Sequence, residues 1–156
     1  MAMGILALIS SGVLDGLWGR VEPASSSGPS AAGQQRVVSA DVGGRAHVLD
    51  GDTIEVGGVR VRLQGLHCPE AGEPGGSAAT NAMRSLTRGQ HVTCSLTGER
   101  TYDRMVGTCY VGDTDLTAAI IRQGVCARCP RYDSQGRYLA AQREAGAWRG
   151  SMPGYC

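Results

Sequence analysis

The chain contains no lysine and no phenylalanine. All 15 of its basic residues are arginine, so every cation can fork onto carboxylate or phosphate oxygens and none acts as a bare point charge. With no phenylalanine and 24 glycines, the pattern is one of many turns around a small barrel interior. The formal net charge is only +1, which removes any global electrostatic case for binding nucleic acid. Any such case must come from a local site. No apolar run reaches the roughly 20 residues that a membrane span needs. No second CxxC and no HxxxH accompanies Cys126-x-x-Cys129, so a metal site built there is two ligands short. There is no internal repeat.

What the chain does have is cysteine: Cys68, Cys94, Cys109, Cys126, Cys129 and Cys156. An even count in 156 residues points to disulfides and an oxidising compartment, with reduced thiols as the competing reading. Hydrophobic residues make up 42%, enough for one modest core.

Three segments follow from composition. Residues 1–20 are mostly apolar and read as an export signal or a short anchor, although no basic residue precedes the apolar run and Asp15 interrupts it. A frayed tail is the alternative. Residues 21–35 are a Ser/Gly/Ala/Pro linker with little to bury. The folded domain is expected at 36–156.

From Arg36 onward the sequence alternates apolar and polar residues and is rich in valine, which predicts strands. Asp50-Gly51 and Gly57-Gly58 are turn signals, so residues 53–56 and 59–63 form the arms of a hairpin. Ala79, Ala82, Met83 and Leu86 are at helical spacing within 77–88, ended by Gly89. Residues 91–96 and 105–111 read as two further strands. Asp115 is placed to cap a helix over 116–123, closed by Gly124, and 137–148 reads as a last helix. Strands first, with helices interleaved later, predict an α+β fold: a five-stranded OB-type β-barrel with about three helices.

Four short segments carry chemistry: Asp50-Gly51-Asp52-Thr53, Arg60-Val61-Arg62-Leu63, His67-Cys68-Pro69-Glu70 and Tyr102-Asp103-Arg104. Each has a bland reading. Asp-Gly is an ordinary hairpin turn. Glu70 could be a plain loop acid. Arg104 beside Asp103 could be a surface ion pair of small value. Arg62 alternates with Val61 and Leu63 and must either face a barrel interior unpaired, which is costly, or stand at the barrel mouth.

In their order, these segments resemble the staphylococcal nuclease family, over about residues 37–148. That family reads DGDT, then RL followed by an acidic residue and P-E, then a YxR-type segment ahead of a strand. The resemblance implies a metal-dependent nuclease that hydrolyses DNA and RNA phosphodiesters with little sequence preference. It implies Arg62 and Arg104 as phosphate clamps, Glu70 as the residue that orients or deprotonates water, and Asp52 as a calcium ligand. Such chemistry needs these types. Arginines neutralise charge gathering on a five-coordinate phosphorus, a carboxylate activates water, and a hard cation bridges phosphate and water.

The sequence departs from the family at His67, where the second metal carboxylate is expected. Imidazole supplies neither oxygen nor charge to calcium. Either calcium binds more weakly, or another divalent metal that accepts nitrogen replaces it, or the barrel binds nucleic acid or a protein partner without cleaving. His67 nonetheless remains the second expected metal position. A monomer, exported to a bacterial periplasm or medium, with an N-terminal anchor as the alternative to a cleaved signal, completes the expectation. Cys94 and Cys109 are on strands that could be neighbours, and Cys156 could be held by Cys129 or Cys126.

Overall fold

A computed structural model describes residues 41–156. The expected signal, linker and first residues of the domain lie outside the described residues.

Among the described residues, nine strands and three α-helices follow in the order β1 (Asp41–Gly44), β2 (Ala46–Val48), β3 (Thr53–Val56), β4 (Val59–Leu63), β5 (Leu66–His67), α1 (Gly76–Thr87), β6 (Val92–Thr101), β7 (Arg104–Val111), β8 (Thr114–Asp115), α2 (Leu116–Arg122), β9 (Ala127–Arg128) and α3 (Leu139–Ala145). The class is α+β, as the sequence predicts.

The main sheet runs β1-β6-β7-β4-β3-β2, with β8 added to β7. All its pairs are antiparallel except β4 with β7. The expected five-stranded barrel is not closed by a continuous ladder. Its first strand is instead split at Arg45 into β1, which pairs with β6, and β2, which pairs with β3. One bent stretch of chain thus forms both ends of the sheet. A separate two-stranded ribbon joins β5 to β9.

The hairpin of β3 and β4 turns at Gly57 and Gly58, both with positive φ. Ile54, Val56, Val61 and Leu63 point inward and are essentially fully buried, while Arg60 and Arg62 take the other face. Met83 and Ala79 of α1, together with Leu116, Ile120 and Ile121 of α2, complete the core. Asp115 caps α2 by accepting from the Thr117 and Ala118 amides at 2.9 and 3.2 Å, and Gly124 ends the turn beyond it in a left-handed conformation (φ 73°).

The last helix is shorter than the expected 137–148. Asp133 takes the amides of Arg137 and Tyr138 at 2.8 and 3.0 Å, which holds them in a turn ahead of the helix. Gly146 (φ 78°) then breaks the chain away before Trp148.

All six cysteines pair: Cys68 with Cys126, Cys94 with Cys109, and Cys129 with Cys156. The second links directly opposed residues of β6 and β7. The third ties down the C-terminal tail. Such pairing belongs to an oxidising compartment. No helix among the described residues is long and apolar enough to cross a membrane.

Candidate active site

The Asp50-Gly51 turn delivers Asp52 into the protein. Asp50 accepts the Asp52 amide at 3.1 Å, and a side chain at Gly51 would collide with Ala79 and the Cys68 sulfur, so this turn presses against α1 and the next loop. Asp52 is 2% exposed. Its Oδ1 accepts from Arg62 Nη1 at 2.6 Å and from the Thr53 hydroxyl at 3.1 Å, and its Oδ2 accepts from the Cys68 amide at 3.3 Å. Burial pushes the Asp52 carboxyl up to about 7 against the opposing pull of Arg62, and neighbouring Asp50 raises it further.

Arg62 is directly opposite Thr53 in the β3–β4 register and also reaches the Leu66 carbonyl at 3.4 Å. Arg104 starts β7 and donates to the Thr53 hydroxyl at 3.3 Å. Its Nε is buried with no partner among the described residues. A buried donor left open in this way is what an incoming anion would satisfy. Asp103 does not neutralise Arg104, because its ion pair is with Arg60. The surface-pair reading of Arg104 therefore fails.

The 67–70 loop arrives from β5. The Cys68–Cys126 bridge holds it on one side. On the other, Gly76 packs so closely on the Glu70 carbonyl that no side chain would fit. Glu70 is exposed, its amide donates to Glu73 at 2.9 Å, and its carboxylate is unpartnered among the described residues. It shares the wall of a cleft of about 940 Å³ with His67, Glu73, Trp148, Arg149 and Tyr155.

His67 is 6% exposed. Its ring lies edge-on to Trp148 at 5.4 Å and to Tyr155 at 6.4 Å. Burial lowers its pKa and favours the neutral imidazole, partly opposed by a hydrogen bond to the Ser151 backbone.

The nominated residues thus form two groups. Asp52 is bonded directly to Arg62 and through the Thr53 hydroxyl to Arg104, whereas His67 and Glu70 line the cleft. The Cys68 amide connects the groups. Among the described residues no three His, Cys, Asp or Glu side chains converge as a metal cage. As donors, the Asp52 oxygens suit a hard cation and the His67 ring does not.

Several contributors were not singled out from sequence. Thr53 links Arg104 to Asp52, and its position in DGDT was the available signal. Tyr102 has the sole positive φ of a non-glycine among the described residues (57°). It is 92% exposed, with the Arg104 guanidinium 6.0 Å from its ring. Trp148 and Tyr155 reach the cleft only because the chain leaves α3 at Gly146 and Cys156 anchors the tail, which no local pattern reveals.

A model of the staphylococcal nuclease homologue family matches residues 60–152. The match includes Arg62, His67, Glu70 and Arg104 and begins after Asp52. An uncharacterized endonuclease of Escherichia coli O157:H7 is 34% identical over 128 residues, covering 75% of this chain and 84% of that protein. The succinoglycan biosynthesis protein ExoI of Rhizobium meliloti is 31% identical over 130 residues, covering 72% and 68% respectively. A micrococcal nuclease of Shigella flexneri is 34% identical over 91 residues, covering 50% and 52%.

Proposed function

The chain belongs to the staphylococcal nuclease homologue family and is a hydrolase of the nuclease class; from that premise we propose that it is an exported, divalent-metal-dependent phosphodiesterase that cleaves DNA and RNA with little sequence preference. The observation that carries this reading is the open Nε donor of Arg104 beside the Arg62–Asp52 pair. One guanidinium is on Asp52 and the other on the adjoining Thr53 hydroxyl, and the second holds a buried donor in reserve.

A phosphodiester brought there completes that donor set. Arg104 neutralises phosphate oxygens through its fork, and Arg62 is the second clamp. Their contribution grows as charge gathers on phosphorus, which makes it catalytic rather than merely adhesive. Glu70, free on the adjacent loop, orients or deprotonates the attacking water. Asp52 would hold a divalent cation, calcium by the family's habit, with His67 at the neighbouring position. The cation would supply Lewis-acid polarisation of the phosphate and a more acidic water. Nothing at base-reading distance is required of this constellation, in keeping with low sequence preference. The protein acts as a monomer in the periplasm or outside the cell, where its three bridges persist.

One observation favours a second reading. Arg62 is engaged with Asp52, and no metal cage is preformed among the described residues. A barrel that binds nucleic acid without cleaving it would have this appearance. Plasmid degradation in calcium, manganese and EDTA separates the two. Metal-dependent smearing supports the nuclease, and retarded but intact DNA supports the binder.

A further inference from the structure

At the far end of α1 from the catalytic loop, a groove of about 310 Å³ is lined by Arg45, His47, Arg84, Thr87, Arg88 and Gly89, together with the apolar wall of β2. It contains three guanidiniums and an imidazole, and no carboxylate lines it. On a chain whose net charge is +1, this is a marked local excess. All four basic side chains are exposed. Among the described residues, the ion pairs of the protein engage Arg60, Arg62, Arg122, Arg128 and Arg137, and none engages these three arginines.

Arg84 is in the last turn of α1 and Arg88 caps its C-terminus four residues on; both line the groove, where like charges repel. Cations in a last helical turn do favour the negative end of the helix dipole, and that would account for Arg84 and Arg88. It does not account for Arg45 and His47, which come from the bent first strand and face the same groove. Two separate elements converge positive charge on one concave surface. The partner that relieves the repulsion is an anion with several oxygens in a row.

We propose that this groove is a second phosphate-binding site, which holds the backbone of a nucleic acid away from the bond being cut. The proposal rests on the nuclease reading for the identity of the polyanion. α1 has 12 residues and begins against Glu70, so the groove is about 18 Å from the catalytic loop along the helix. That is about five nucleotides of duplex rise at 3.4 Å each. A substrate shorter than this reaches the catalytic residues but not the groove. The arginines then contribute to grip on long substrates and not to bond breaking.

The test compares wild type with Arg45→Gln/Arg84→Gln/Arg88→Gln, and with Arg88→Gln alone as a milder variant, their folding checked by thermal melts. Binding of a 20-base-pair duplex is measured by fluorescence anisotropy in EDTA over a salt series, so that cleavage plays no part. Each lost phosphate contact lowers the slope of log affinity against log salt by about 0.9, so the triple variant is expected to lose about 2 to 3 and the single variant about 1. Hydrolysis of a dinucleotide in metal is expected to be unchanged. Equal salt slopes for wild type and triple variant overturn the groove, as does an equal rate loss on dinucleotide and duplex. Wild type that fails to bind the duplex overturns it too, even where an acidic polysaccharide binds. Lost slope in a protein that cleaves nothing keeps the groove and removes the nuclease. Unchanged slope in a protein that cleaves DNA does the reverse.

Discussion

Arg62 Nη1 donates to Asp52 Oδ1 at 2.6 Å, so the guanidinium nominated for phosphate and the carboxylate nominated for metal neutralise each other. The pair is mostly buried, with side-chain exposures of 16% and 3%. Each group keeps the other tolerable in a poorly hydrated place. The two nominated arginines are therefore unequal. Arg62 supports the fold as well as the chemistry, whereas Arg104 offers a single 3.3 Å hydrogen bond to Thr53 and an open Nε.

Arg62→Ala and Arg104→Ala are each expected to slow phosphodiester cleavage by a factor on the order of 100 to 1000, the usual cost of a lost transition-state donor. Their stabilities should differ. Arg104→Ala should melt close to wild type. Arg62→Ala strands a buried carboxylate and should lose a few kcal/mol, within the range of about 3 to 5 for a broken buried pair. The loss should shrink below pH 7, where Asp52 takes up a proton. Denaturant melts at two pH values decide it, and an Arg62→Ala protein as stable as wild type at pH 8 would remove the pair's structural role.

Much of this site was legible because its chemistry is local. Asp52, Arg62 and Arg104 are fixed by strand alternation and turns, and the β3–β4 hairpin and the Asp115 cap fell where propensity put them. What was not legible is what the chain does between elements. The split of the first strand at Arg45 and the exit of Trp148 from α3 depend on contacts made at long sequence separation. So does the pairing of Cys68 with Cys126, 58 residues away, since six cysteines allow many pairings. His67 shows the limit most clearly. Its position in the motif suggested a metal ligand, yet its surroundings are largely aromatic rings delivered by the tail.

Asp52 also sets a pH dependence. Its pKa rises from 3.8 to about 7 on folding, so between those values the folded protein binds more protons than the unfolded chain. In EDTA this group's contribution to stability is fully present below about pH 4, falls as pH rises towards 7, and is flat above it. Asp52→Asn should remove that part of the slope. Urea melts from pH 4.5 to 8 on both proteins measure it, and parallel curves would mean that Asp52 ionises normally.

The bridges should differ in what their loss does. Alkylation without reductant, followed by mass spectrometry, should find no free thiols in native protein. Cys68–Cys126 closes the longest loop, and on chain-entropy grounds it is worth about 4 kcal/mol. It also holds the loop whose amide reaches Asp52 and which carries Glu70. The Cys68→Ala/Cys126→Ala protein should lose activity out of proportion to its loss of stability at a temperature where it remains folded. Cys94→Ala/Cys109→Ala, which unlinks two strands already paired, should lose mainly stability. Equal activities for the two folded variants would argue against any special hold on the catalytic loop.

His67→Asp is the substitution that separates family pattern from local surroundings. If His67 is at the metal position, a third carboxylate beside Asp52 and Glu70 adds oxygen and charge where a hard cation gains from both. Calcium should bind more tightly and calcium-dependent cleavage should rise. The cost is also readable from the structure. The imidazole makes edge-on contacts with Trp148 and Tyr155, and burial already disfavours a charged ring there. A carboxylate forfeits those contacts and must be charged beside a partly apolar wall, so the protein in EDTA should melt below wild type. Calcium, binding only the folded form, should restore the difference, leaving the variant's melting temperature more calcium-sensitive than that of wild type. Calorimetric titration and melts with and without calcium read both halves. A variant that melts lower and binds calcium no better would make His67 a packing residue of the aromatic cleft. Asp52 would then lose its partner as a ligand, and the non-cleaving binder would become the better account of the barrel.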